Sequence, residues 1–477
     1  MKRYLFALFL ALAALPSTAG PVSFTGSIRL RPEIWNWFDG EADGSYAYMG
    51  NILRMSVSQQ AKGYDWQIEF AAPFLLQMPT NAIAPAPQGQ FGLGATYSAS
   101  NDNRNNAMSL FPKQGFVRWK GLFGAAGQSL RIGRFEFIDG AEATPKDATL
   151  AALKRDRVNQ RIVGSFGWSH VGRSFDGFQY LGSFDKGKTT LTLVSALPTR
   201  GAFQVDGWGN LKVAVNYLAL TRQYGAGRNA GEFRGLAIYY QDWRHIVKTD
   251  SRPLAVRQRD LNNIRVTTYG GHWIHKTETG AGSWDFVGYG LGQFGDWGRI
   301  GHRAWTLNTE LGWQPKALPK WKPWLRGGYF HGSGDENPND NKHNTFFQVL
   351  PTPRPFARFP FYDMVNNEDF FANLIVRPHK NWTVRGEFHA LRLASRNDLW
   401  YLGGGAYQPW TFGYVGRSAS GARSLANQWD MSVDWNVNAR VNLNGYVGYA
   451  DGKAVMERIY PKGTNATFGY LELNYKF

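Results

Sequence analysis

Gly469-Tyr470-Leu471-Glu472-Leu473-Asn474-Tyr475-Lys476-Phe477 closes the chain. Gly469, Leu471, Leu473, Tyr475 and Phe477 share one parity, and Glu472, Asn474 and Lys476 take the other. Successive side chains of a strand point to opposite faces, so this segment has one apolar face and one polar face. The same period of two recurs upstream. Ile28 and Leu30 alternate with Ser27, Arg29 and Arg31; Leu53, Met55 and Val57 alternate with Arg54, Ser56 and Ser58. Trp305, Leu307 and Leu311 share a face, as do Trp429, Met431, Val433 and Trp435. A helix needs apolar residues three and four apart, and these runs do not supply them.

Alternation alone also suits a soluble β-sandwich or propeller, so the connections decide. Tight ones fall at 61–64, 121–128, 185–188, 222–230, 275–282, 315–320, 378–381 and 436–440. Longer polar or Gly/Pro-rich ones fall at 73–112, 139–174, 199–209, 242–263, 332–369, 395–424 and 451–465, with 39–45 and 295–301 as brief members of that set. Short and long alternate, as periplasmic turns and extracellular loops do in a membrane barrel. The expected fold class is all-β, a transmembrane antiparallel β-barrel of about 18 strands, an even number that places both termini on the periplasmic side. A chain stopping on an aromatic at Phe477 resembles the terminal signal by which bacterial outer-membrane barrels are assembled, so the assembly machinery is an expected partner.

The other end reads as a leader. Lys2 and Arg3 precede an apolar run, Tyr4 to Leu15, too short to span a bilayer, and Ser17 and Ala19 supply small residues for cleavage. The expected organisation is a signal peptide over residues 1–19 and a barrel over residues 20–477. The 55 Gly, 19 Trp, 22 Tyr and 32 Phe are spread evenly, and there is no Cys. The mean hydropathy of −0.38 conceals a lipid face, because every second residue of a barrel strand points to a polar lumen. Trp35, Trp37, Trp313, Trp382, Trp435, Tyr446 and Tyr449 fall near strand ends, where aromatic girdles lie.

The formal net charge of +17 favours anionic partners. Export argues against nucleic acid, and contact with lipopolysaccharide and outer-membrane lipid explains part of the excess. The polar phase adds a specific candidate. Arg29, Arg31, Arg54, Arg118, Lys120, Arg131, Arg326 and Arg385 fall on it, and a guanidinium offers a permanent charge and a planar fork of donors to a carboxylate. Rings of such groups line anion pores. Glu33, Glu69, Glu136, Glu310, Glu387, Asp430 and Asp434 lie on or near the same phase, so ion pairing within the lumen is the competing role. No catalytic, cofactor or metal constellation emerges; the nine His show no ligand pairing, and His272 with His275 carries no argument.

Several motifs resemble the alginate export family of outer-membrane barrels. They are Arg131-Ile132-Gly133-Arg134; Phe166-Gly167-Trp168-Ser169-His170-Val171-Gly172-Arg173 with Phe175-Asp176-Gly177; and Gly328-Tyr329-Phe330-His331-Gly332-Ser333-Gly334-Asp335. Phe388-His389 through Leu393-Ala394 and then Asp398-Leu399-Trp400-Tyr401 follow in the same order. The resemblance implies a monomeric 18-stranded barrel whose electropositive constriction passes an anionic polyuronate. It adds Lys113 and Arg134 to Arg131 as pore candidates, while Phe135 stands where the family commonly has Gln. Passage of an acidic oligo- or polysaccharide is therefore the leading reading. A general or small-anion porin and a plugged barrel with a binding or structural role are the alternatives. The basic stretch Arg244 to Arg259 and the Pro-rich stretch Pro351 to Pro360, with Arg354 and Arg358, read as solvated loop surface rather than gates.

Overall fold

The computed structural model describes residues 20–360 and 363–477, so the expected leader lies outside the described residues. Eighteen antiparallel strands close into a barrel. In chain order they are β1 (Val22–Asn36), β2 (Ser45–Gln60), β3 (Tyr64–Leu76), β4 (Phe111–Lys120), β5 (Gln128–Phe135) and β6 (Phe175–Phe184). Next come β7 (Thr189–Pro198), β8 (Val213–Ala226), β9 (Asn229–Asp242), β10 (Ile264–Glu278), β11 (Gly282–Trp297) and β12 (Ile300–Pro315). The last six are β13 (Trp324–Gly332), β14 (Asn367–His379), β15 (Trp382–Leu393), β16 (Ser424–Asn436), β17 (Val441–Gly452) and β18 (Asn465–Lys476).

Each strand pairs with its chain neighbour, and β1 pairs with β18 to remove the last edge. That closure is required in hydrocarbon, where an unpaired backbone group finds no water. The final residue takes part: the Gly26 N–H donates to the Phe477 carbonyl at 2.9 Å, and the Phe477 N–H donates back at 3.0 Å. A side chain at Gly26 would overlap the Phe477 ring.

The alternation sets which face is which. Leu471 is 70% exposed and Ile34 67%, on the outer wall, whereas Arg31 and Glu33 between them are fully buried inside. A slip of one residue would place those charges in lipid, so register is strongly fixed. Short and long connections alternate around the barrel at the expected places. The girdle expectation holds only in part. Trp382 and Trp435 stack on the outer wall at 5.0 Å, Trp313 stacks on Trp284 at 5.5 Å, and Tyr449 is exposed. Trp35, Trp37 and Tyr446 instead face inward and are buried. Trp35 shares the parity of Glu33 and donates to it at 3.1 Å, and the Trp37 indole donates to the Tyr460 hydroxyl at 3.0 Å.

The long loops turn into the barrel. Helix α1 (Gly92–Ser100) and helix α2 (Ala148–Arg157) belong to them. Asp147 caps α2, accepting from the Leu150 N–H at 3.0 Å. Leu150 and Leu153 then pack with Val158 against Ala230, Ile274, Val287, Trp324 and Ile375 of the wall. Because Ala230 and Trp324 border short turns, α2 reaches the short-turn end of the lumen.

The solvated-surface expectation for Pro351 to Pro360 is therefore wrong. Phe356 and Phe359 are fully buried and Arg354 is 8% exposed. The loop lies on rings of the inner wall, where its apolar area leaves water. The basic stretch divides. Arg244 and Arg252 are buried against Asp242 and Asp250, and Lys248 against Asp260, while Leu254 and Val256 are exposed.

Candidate passage through the barrel

Odd positions of β1 bring Arg29, Arg31 and Glu33 to the lumen, level with one segment of the loop between β5 and β6. That segment, Phe166 to Gly172, is a closed lobe: the Arg173 N–H donates to the Ser165 carbonyl at 2.6 Å, so its ends touch. Ser169 Oγ accepts from the Gly172 N–H at 2.8 Å, and Gly172 sits at φ +65°, a conformation glycine adopts without strain.

The two arginines hold the lobe by its backbone. Arg29 donates to the carbonyls of Gly167, at 3.0 Å, and of Ser169. Arg31 donates to the Trp168 carbonyl at 2.9 Å, to Glu33 at 3.0 Å and to Glu472 at 3.0 Å. Two guanidinium groups lie over the Trp168 ring, Arg31 at 4.3 Å and Arg354 at 4.4 Å. The His170 ring Nε2 lies 2.9 Å from Glu33, and the His170 backbone N–H donates to the Tyr97 hydroxyl at 3.0 Å. A Cβ at Gly50 would overlap the His170 ring, which explains glycine at that inward position of β2.

The lobe is a partition between two cavities. Gly167, Ser169 and Val171 line one of about 150 Å³ toward the short turns, together with Arg29, Arg54, Lys113 and Glu136. Phe166 and Trp168 line the other, on the long-loop side. In the first, Arg54 donates to Glu69 and Glu136, each at 2.6 Å. Lys113 is buried, donates to the carbonyls of Val171 at 3.1 Å and Arg173 at 3.3 Å, and lies 3.6 Å from Glu136. Arg29 has a carboxylate only at 3.8 Å, Glu472.

The remaining candidates divide. Arg118 pairs with Asp65 at 2.6 Å, with Lys120 nearby at 3.3 Å. Arg326 is buried against Asp285 and Glu310, and Arg385 pairs with Asp434 at 3.2 Å. Ion pairing dominates at these three positions. Arg131 is held by neutral groups, Gln179 and the Glu136 carbonyl at 3.3 Å, with its guanidinium 4.2 Å from the Phe135 ring. The Phe that replaces the family's usual Gln is therefore a cation–π partner. Arg134 is a correction. It lies on the parity of Ile132, which is 45% exposed on the outer wall, and pairs with Asp176 at 2.7 Å. It also donates to the carbonyls of Pro112, Gly207 and Trp208, so it ties wall to loop rather than lining the lumen.

Burial, reinforced by the Arg31 guanidinium, holds the His170 imidazole down at about 3. Glu33 opposes this but already has Arg31 as its cation. Free imidazole takes its proton near 6.5, so the released lobe binds more protons than the seated one between those values. Acidification from about pH 6.5 downward therefore favours release. The expected result is rising open probability in planar-bilayer recordings as pH falls through that window. The rise should be abolished in His170→Gln; an identical pH profile in the variant would assign the effect elsewhere.

Among the described residues, Glu387, His389 and Asp430 bring possible metal-ligand atoms within 4.8 Å of one another. They occupy facing positions on β15 and β16, a juxtaposition set by cross-strand register rather than sequence spacing. Hydrogen bonds account for much of it: Asp369 takes His389 at 2.8 Å, Asn373 takes Glu387 at 2.5 Å, and Gln428 and Tyr446 take Asp430.

A family model described as alginate export matches residues 21–467. Among solved structures, OccAB2 of Acinetobacter baumannii is similar with a TM-score of 0.56 and 9% identity, over 97% of this chain and 99% of that one. OccK9 (OpdG) of Pseudomonas aeruginosa gives 0.55 and 9%, over 95% and 98%. OpdK of Pseudomonas aeruginosa, solved with vanillate, gives 0.52 and 8%, over 95% and 98%. At such identities the likeness is one of fold. No curated protein matches the sequence.

Proposed function

The chain belongs to the alginate export family of outer-membrane barrels, and on that premise we propose that its lumen passes an anionic solute, an acidic oligo- or polysaccharide of uronate type. The observation that carries the reading is the cavity beneath the partition, lined by Arg29, Arg54 and Lys113, with Glu136 the carboxylate at its lining, Glu69 held by Arg54 and Glu472 3.8 Å from Arg29. Cations at the wall of a low-dielectric site attract anions, and Arg29, with no carboxylate nearer than 3.8 Å among the described residues, is the one most open to a solute. The carbonyls of Gly167, Trp168 and Ser169 occupy the Arg29 and Arg31 donors in this structure. A uronate carboxylate is a stronger acceptor for those donors and competes for them. The passage is passive, and no catalytic or cofactor role is assigned. Both termini lie on the periplasmic side, the short turns face the periplasm, and the long loops face outward against lipopolysaccharide, in a monomer inserted by the barrel assembly machinery.

A second reading, a small-anion porin, draws support from the partition itself, since a cavity of about 150 Å³ holds a small acid and not a chain. Current block in planar bilayers separates the two. Polyuronate that blocks at lower concentration than acetate or phosphate supports the first; block by the small anions alone overturns it in favour of the second. A barrel that carries no current with the lobe intact and none with it removed is plugged.

A further inference from the structure

The cavity on the long-loop side of the partition, about 210 Å³, has walls of rings, among them Trp37, Phe166, Trp168, Phe203, Tyr407 and Trp410. Much of its polar lining is engaged. Gln408 donates to the Ser100 carbonyl at 3.2 Å and accepts from Thr411 at 3.0 Å, and Thr352 Oγ1 accepts from the Phe166 N–H at 3.0 Å. Arg417 is held by the Tyr460 hydroxyl and the Gln90 carbonyl.

Arg354 is different. It is 8% exposed, its guanidinium lies 4.4 Å from the rings of both Trp168 and Tyr446, and both Nη atoms lack a hydrogen-bond partner among the described residues. A buried charge held by ring faces alone is an incomplete arrangement, and the group it lacks is an anion with two acceptor oxygens. Asp363 lines the same cavity, and burial pushes its carboxyl well up, which weakens it as a countercharge to Arg354.

We propose that this cavity binds an organic carboxylate with a flat apolar body, an aromatic acid, whose carboxylate pairs with Arg354 and whose ring packs against the surrounding indoles. The ring faces and the unpartnered guanidinium supply both halves of that ligand's chemistry. A sugar acid would bring hydroxyls to Gln408 and Thr352, whose side chains already have partners, and would leave those hydroxyls poorly paired. The guanidinium carbon lies 4.4 Å from the centroids of both the Trp168 and Tyr446 rings, and Trp168 belongs to the partition. The proposal goes beyond the conduction reading and does not depend on it, since a barrel that passes nothing can still bind.

Calorimetric titration of the full refolded chain in detergent micelles tests it, with benzoate, benzamide and glucuronate as probes. Benzoate is expected to bind, roughly tenfold or more tighter than either of the others. Arg354→Gln should lower benzoate affinity by about tenfold or more, with Arg354→Lys between. No benzoate binding, equal binding of benzamide, glucuronate binding as well as benzoate, or unchanged affinity in Arg354→Gln would each overturn the proposal. If that variant fails to fold, the ranking of the three ligands on the natural chain decides. Bilayer currents, recorded separately, judge conduction without bearing on this result.

Discussion

Excising Phe166–Gly172 and joining Ser165 to Arg173 through a short glycine bridge is expected to raise single-channel conductance on the order of tenfold. The backbone permits the join, because the Ser165 carbonyl and Arg173 N–H are already in hydrogen-bond contact at 2.6 Å. The lobe separates the two cavities, so its loss merges them into one continuous space. It also frees Arg29 from two carbonyls and Arg31 from one. Anion preference should therefore strengthen as conductance rises. Strands, turns and closure remain, and resistance of the folded barrel to SDS below its melting temperature checks this. A well-folded excised barrel with unchanged conductance would place the resistance in α2 or the Pro351 to Pro360 loop.

The second large effect falls on stability. Glu310 is fully buried on β12 and receives Arg157 of α2 at 2.9 Å, Arg161 at 3.3 Å and Arg326 of β13 at 3.4 Å. One carboxylate thus compensates guanidinium groups from a helix, a loop and the wall. Breaking a buried pair by removing one member leaves charge without compensation, a cost of about 3–5 kcal/mol. Glu310→Gln is expected to lose that much in urea unfolding monitored by tryptophan fluorescence, and to loosen α2 from the wall. Arg118→Gln, where Arg118 is half-exposed and Asp65 keeps Lys120 at 3.3 Å, should cost about 1 kcal/mol or less. Equal losses in the two variants would mean that burial does not set the cost.

The barrel was legible because its cause is local. Alternation in β18 assigns Leu471 to lipid and Glu472 to the lumen whatever else the chain does, and turn length then orders the rims. Parity also separates Arg131 from Arg134, which stand three apart and so face opposite sides; the motif resemblance had joined what the period of two divides. Lys113 reaches the lumen through a register irregularity opposite Glu69 and Phe70, which no repeat pattern announces. The loops were the least legible part. Arg354 and Phe359 lie in an aperiodic Pro-rich stretch, and only the barrel wall beside them decides that they are buried. The segment from Phe166 to Arg173 carries a motif of the family, yet its role as a partition depends on Arg29 and Arg31 more than a hundred residues away. Aromatics near strand ends mislead for a related reason: Trp35 and Trp382 look alike until parity sends one inward to Glu33.

The most direct measurement is the reversal potential of the channel in a planar bilayer under a salt gradient. A lumen governed by Arg29, Arg54 and Lys113 gives an anion-selective potential, and Lys113→Met combined with Arg29→Gln moves it toward zero. A cation-selective potential, or an anion-selective one that the double substitution leaves in place, would contradict the account.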